Sequence, residues 1–127
     1  MVKVLFVDDD ELIIKMTPLV FKKFKYNAFF STDSSEALKI FKSDPDSFDI
    51  VITDFNMPDI TGLTLASEIK SIRPDIPIIL CTGFIDEIAP EKINSIGFDK
   101  IIYKPYGIME LIKDINVILD CKRESVI

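Results

Sequence analysis

The sequence predicts an α/β fold: a three-layer (βα)5 sandwich built on a five-stranded parallel sheet of order 2-1-3-4-5. Three observations predict it. Short apolar runs rich in β-branched residues recur along the chain without polar alternation, as strands buried on both faces do. Each run is followed by a stretch with apolar residues at helical spacing. The chain has 127 residues, 48% of them hydrophobic, which suits one domain with its own core and argues against disorder.

Val2 to Val7 reads as the first buried strand, and it runs into Asp8-Asp9-Asp10-Glu11. Leu12, Met16, Leu19, Val20 and Phe24 then form a helical stripe. Pro18 falls inside it, so a helix bent at Pro18 is expected, with Asn27 as its left-handed exit. Ala28-Phe29-Phe30 is a short second strand. Asp33 and Glu36 have N-cap and N3 spacing for a second helix, whose buried face is Ala37, Leu38, Ile40 and Phe41. Pro45 ends that region, and Asp49 leads into the third strand at Ile50. Gly62 allows the turn into a third helix with Leu65, Ala66, Ile69 and Ile72 on one face, closed by Arg73-Pro74.

Ile76 to Cys81 is the fourth strand, ending in Thr82-Gly83. Pro90 fits the first turn of a short fourth helix and Gly97 its exit. Ile101-Ile102-Tyr103 is the fifth strand, ending in Lys104-Pro105. Ile108, Leu111, Ile112, Ile115, Ile118 and Leu119 mark the last helix. The domain is expected over residues 1–121, with 122–127 a frayed tail. Five strand–helix alternations call for a parallel sheet covered on both faces, and the flavodoxin-like strand order is the common solution at this size.

The net charge of −6, with scattered basic residues, argues against direct nucleic-acid binding. No apolar run approaches the ~20 residues that cross a bilayer, so no membrane insertion is expected. Met1 to Phe6 is too short for a signal peptide, and a cytoplasmic location is expected. Cys81 and Cys121 read as reduced thiols. The absence of histidine excludes histidine triads, histidine-ligated zinc and a phosphohistidine of the chain's own. Four separated glycines make no phosphate-cradling loop.

The stretch Ile50-Val51-Ile52-Thr53-Asp54-Phe55-Asn56-Met57-Pro58 carries a carboxylate out of a buried strand into a loop. In the expected strand order, the ends of strands 1, 3, 4 and 5 carry Asp8-Asp9, Asp54, Thr82 and Lys104. Neighbouring strands lie ~4.8 Å apart, so these groups can meet along one rim. Carboxylates that close repel unless a cation joins them. Mg²⁺ suits the set, since it needs few carboxylates and keeps room for a phosphate. Lys104 offers a point charge for a phosphoryl oxygen and Thr82 a hydroxyl donor. Taken singly, Asp10 reads as a helix cap, Thr82 as a strand-end hydroxyl and Lys104 as a solvated lysine. Together the residues read as a phosphoryl-transfer site with an aspartate nucleophile.

With Val7-Asp8-Asp9, Thr53-Asp54-Phe55-Asn56-Met57-Pro58, Thr82-Gly83 and Lys104-Pro105 in that order, the chain resembles a response-regulator receiver domain from Lys3 to about Leu119. The resemblance implies that Asp54 is the phosphoacceptor. It implies that Mg²⁺ is bound by the Asp9 and Asp54 carboxylates, by the Asn56 backbone carbonyl, and by Asp8 through water. Thr82 would be the switch hydroxyl, Lys104 would pair with the phosphoryl group, and the Lys104-Pro105 bond would be cis. The donor would be a histidine on a sensor histidine kinase or a histidine phosphotransfer protein. Phosphorylation would reshape the face made by helix 4, strand 5 and helix 5 for a downstream effector protein. The chain would catalyse only its own phosphorylation and dephosphorylation. The run Leu80-Cys81-Thr82-Gly83-Phe84 further resembles receivers of hybrid sensor histidine kinases.

Two features depart from the family pattern. The aromatic residue often found three positions before the lysine is Ile101 here, and Tyr103 stands beside Lys104 instead. Phe84, two residues after Thr82, is placed to screen the phosphoryl group from water, so slow self-dephosphorylation is expected. The rival readings are a degenerate receiver that binds a partner without phosphorylation, a flavin carrier, and a haloacid-dehalogenase-type phosphatase. The intact acid–Thr–Lys set counts against the first. The acids after strand 1 count against a flavin phosphate, and Asn56 stands where the phosphatase needs a second Asp.

Overall fold

Strands β3 (Ile50–Asp54) and β4 (Ile78–Thr82) are buried at every residue, as their unbroken apolar character requires. They form the middle of a sheet completed by β1 (Lys3–Val7), β2 (Asn27–Ser31) and β5 (Lys100–Tyr103). The order is β2-β1-β3-β4-β5 and every pairing is parallel, as predicted. The structure, a computed structural model, describes residues 1–83 and 90–125. Its helices are α1 (Glu11–Lys23), α2 (Ser34–Ser43), α3 (Gly62–Ile72), α4 (Pro90–Ile96) and α5 (Ile108–Ser125).

Alternate side chains of β1, β3 and β4 feed two cores. Val4, Phe6, Ile50, Ile52, Ile79, Cys81 and Ile102 pack against Phe21 of α1 and Leu111, Ile112, Ile115 and Leu119 of α5. Leu5, Val7, Val51 and Ile78 pack on the other face against Ala37 and Phe41 of α2 and Leu65, Ala66 and Ile69 of α3. Carboxylates start two of the helices as expected. The Asp10 side chain accepts from the Leu12 amide, and Asp33 accepts from the Ser35 and Glu36 amides. Gly97 leaves α4 at φ +84°, a conformation that favours glycine.

Several local expectations are corrected. The buried residues of α1 are Thr17 and Phe21, whereas Leu12, Met16 and Leu19 are 62–70% exposed. Several helical positions are apolar, so the period alone does not choose the inward face; packing of Phe21 against Phe6 and Phe30 does. The helix runs through Pro18. Its left-handed exit is Lys25, at φ 61°, and Asn27 instead opens β2 with its amide on the Val2 carbonyl. Ile72 ends α3 at 36% exposure, outside the buried face. Strand β4 begins at Ile78 rather than Ile76, although Ile76 is buried. Helix α5 continues through residues 122–125 of the expected tail.

Candidate functional site

The parallel sheet delivers the C-terminal ends of β1, β3, β4 and β5 to one edge, where an α/β sheet opens a crevice. Asp8 follows β1 and is 1% exposed; Asp54 closes β3 at 6%. Asp9 is exposed at the rim. One carboxylate oxygen from each of the three lies within 4.8 Å of the others. From β5, Lys104 reaches across with Nζ 3.1 Å from Asp8 Oδ2 and 3.3 Å from Asp54 Oδ2. Thr82 ends β4, buried at 1%, and its carbonyl accepts from the Lys104 amide at 2.9 Å. Asn56 stands exposed in the loop after β3.

The acids are held from below by main chain. Asp8 Oδ1 accepts from the Asp10 amide at 2.9 Å, which ties the carboxylate to the start of α1 and leaves Oδ2 to Lys104. The Phe55 amide donates to the Cys81 carbonyl, and the Gly62 amide donates to the Phe55 carbonyl, each at 2.9 Å. The Lys104-Pro105 peptide is cis, as the family pattern leads one to expect. Tyr103 is the register partner of Thr82 and is half exposed, while Ile101 lies beside Leu80. Phe84 falls outside the described residues.

Charge follows from this geometry. Burial pushes the Asp54 carboxyl from its ordinary 3.8 up to about 6, with repulsion from Asp8 adding to it and Lys104 opposing it. Burial works against the Lys104 charge too, but attraction to Asp8 and Asp54 outweighs it and raises the ammonium above its usual range. Beneath the acids, burial pushes the Cys81 thiol up to about 12. The Tyr106 hydroxyl is shut from solvent against that thiol, without a hydrogen-bond partner of good geometry.

The Asp54 shift has a consequence for stability. Its folded pKa lies above the unfolded one, so its stabilising contribution is complete below about pH 4 and is lost as pH rises through about 6. Asp54→Asn removes that charge. It is expected to stabilise the metal-free protein by about 2 kcal/mol at pH 7, and by almost nothing at pH 4. Urea unfolding in a chelator at the two pH values checks this; equal gains at both would refute the electrostatic account.

The donor set fits a hard divalent cation. Three carboxylates crowd together, and the Lys104 ammonium bridges two of them. A divalent ion would offset both the burial and the Asp8 repulsion that raise Asp54.

Residues 4–116 match the response regulator receiver domain family. The chain belongs to that family. The receiver is 32% identical over 119 residues to the response regulator SaeR of Staphylococcus epidermidis, covering 94% of this chain and 51% of that protein. The chain thus spans about half the length of the curated relatives it matches. Among solved structures, a receiver domain protein from Clostridium thermocellum superposes with a TM-score of 0.88 at 28% identity, covering 97% of this chain and 98% of that one. TrrA of Thermotoga maritima, solved in complex with Mg²⁺-BeF, superposes at 0.79 and 29% identity over 91% and 97% of the two chains.

The receiver's predicted residues therefore divide. The structure brings Asp8, Asp9, Asp54 and Lys104 into one cluster and sets Thr82 and Asn56 on the elements beside it. Sequence reading missed what lies underneath. Gly62 was expected only as a turn residue, yet a Cβ there would fall 2.9 Å from the Asp54 carbonyl carbon and closer still to its oxygen. Ser34 and Tyr106 also gave no signal, and Cys81 read only as a reduced thiol in the run before Thr82, because their closeness to the acids depends on contacts between distant segments.

Proposed function

We propose that this receiver takes a phosphoryl group from a phosphohistidine onto Asp54 and uses the modified state to change what it binds. The observation that carries this reading is the buried Asp54 carboxylate, 3.3 Å from the Lys104 ammonium and clustered with Asp8 and Asp9. Asp54 Oδ attacks phosphorus in line. The new O–P bond forms as the donor P–N bond breaks, and that electron pair returns to the imidazole nitrogen. Lys104, held at the rim by both acids, is in position to follow a phosphoryl oxygen as charge builds there.

Asp9 and Asp54 would hold Mg²⁺ through carboxylates, Asn56 through its backbone carbonyl, and Asp8 through a water. When bound, Mg²⁺ supplies positive charge to the phosphoryl oxygens that one lysine cannot match. Thr82 offers its hydroxyl to the product. Its movement biases an inactive–active equilibrium that is read on α4, β5 and α5.

The donor is a sensor histidine kinase or a histidine phosphotransfer protein, and the listener is a downstream effector protein in the cytoplasm. Leu12 and Met16, exposed on the first turns of α1 just beyond the acids, give a protein donor apolar surface beside the site. The receiver's chemistry is confined to its own Asp54.

Intact mass after incubation with acetyl phosphate and Mg²⁺ tests the reading. One phosphoryl group should appear, map to the peptide holding Asp54, and vanish with hydroxylamine or when Mg²⁺ is chelated beforehand. No adduct, or an adduct elsewhere, would favour a receiver that binds without phosphorylation.

A further inference from the structure

The loop that carries Asn56 is closed at its base and gripped from outside by another element. At its base, the Gly62 amide donates to the Phe55 carbonyl at 2.9 Å. Met57 is 5% exposed and packs into the core beside α2 and α3. Further along, Ser34 takes hold of the main chain of Ile60 through both the amide and the carbonyl of that residue. Its hydroxyl donates to the Ile60 carbonyl at 2.8 Å and accepts from the Ile60 amide at 3.1 Å.

Ser34 is 0% exposed, and it comes from the first turn of α2, which is itself set by the Asp33 cap. The next residue, Ser35, adds a hydrogen bond to the Asp59 carboxylate. A buried hydroxyl that satisfies both the amide and the carbonyl of one residue ties the two peptides flanking it, because letting go leaves a donor and an acceptor together without that partner.

Taking the phosphoacceptor reading as its basis, we infer that Ser34 is a positioning residue for the metal site: its grip on Ile60 holds loop 56–61 so that the Asn56 carbonyl meets the ion. Ser34 touches neither the phosphoryl group nor the ion. It acts through the loop, as partners behind metal ligands do when they fix a ligand's direction. Linkage makes the relation reciprocal. If the grip favours the ion, the ion must tighten the grip by the same factor.

The test uses nuclear magnetic resonance on the whole chain. In wild type, saturating Mg²⁺ should slow hydrogen exchange of the Ile60 amide by about tenfold while resonances around Asp54 shift. In Ser34→Ala, the Ile60 amide should exchange faster, and the Mg²⁺ dissociation constant should rise by about the same tenfold. Ile69→Val, a core change in α3 that lowers stability without touching the loop's grip, should keep wild-type Mg²⁺ affinity.

Binding of Mg²⁺ with no slowing at Ile60 in wild type would overturn the inference, and that arm needs no variant to fold. So would Ser34→Ala with loosened Ile60 but unchanged Mg²⁺ affinity. Failure of wild type to bind Mg²⁺ at all would overturn the phosphoacceptor reading itself, and the role of Ser34 with it.

Discussion

Lys104→Met is expected to slow phosphorylation of Asp54 by acetyl phosphate about 10²–10³-fold, and to tighten Mg²⁺ binding at the same time. The two effects share one cause. Lys104 stands 3.1 Å from Asp8 and 3.3 Å from Asp54, so it neutralises part of the charge that a divalent ion would otherwise meet. Removing the ammonium leaves two nearly buried carboxylates facing each other, which makes the ion more welcome. The same removal takes away the positive group placed to follow charge onto the phosphoryl oxygens.

Methionine keeps the length and apolar stem of lysine, so the packing changes little. A merely structural lysine would give a different pattern, with stability lost and the rate and metal affinity moving together. Initial rates at saturating Mg²⁺, with metal titrations on the same samples, separate the cases. A rate within about threefold of wild type at saturation would refute the assignment.

Gly62→Ala is expected to cost about 3 kcal/mol or more of folding stability. An added Cβ would lie 2.9 Å from the Asp54 carbonyl carbon and 3.0 Å from the Phe55 Cα. Those atoms are main chain at the end of β3, fixed by the Phe55 amide on the Cys81 carbonyl, and have no flexible tip to swing aside. Either the strand end, which carries Asp54, or the start of α3, which closes the loop carrying Asn56, has to move. Gly107→Ala is the control: its Cβ meets only Glu110 side-chain atoms at 3.7 Å and beyond, and the change should stay within about 0.5 kcal/mol. Urea denaturation compares the two. Similar small losses would show that the tight approach at Gly62 is relieved at little cost.

The fold was legible because its strands are doubly buried. Ile50 to Ile52 and Ile78 to Cys81 read as continuous apolar runs, and such runs fit a sheet covered on both faces. The helix starts at Asp10 and Asp33 were legible because a cap is a local hydrogen bond between residues close in sequence. The inward face of α1 was not. With Leu12, Ile13, Ile14, Met16, Leu19, Val20 and Phe21 on one helix, more than one stripe satisfies the period. Packing of Phe21 against Phe6 and Phe30 settles which stripe turns inward, and it leaves Leu12, Met16 and Leu19 in water. The exit at Lys25 was missed for a related reason: a left-handed lysine is uncommon, and it is held by the return of Tyr26 onto Phe21.

The site divides along the same line. Sequence by itself determined which chemical groups end the strands, because a strand's last residue is a local property, and alternation with helices obliges all those ends to point one way. That much placed Asp8, Asp54, Thr82 and Lys104 on one edge. Only the tertiary structure decided the distances, and with them the raised Asp54 carboxyl, the lysine shared by two acids, the crowding at Gly62 and the hold of Ser34 on Ile60. All but the crowding at Gly62, which closes the loop after β3 onto Asp54, join segments far apart in the chain. Their energies depend on separations of a few tenths of an ångström, which no pattern of residue types along a chain encodes.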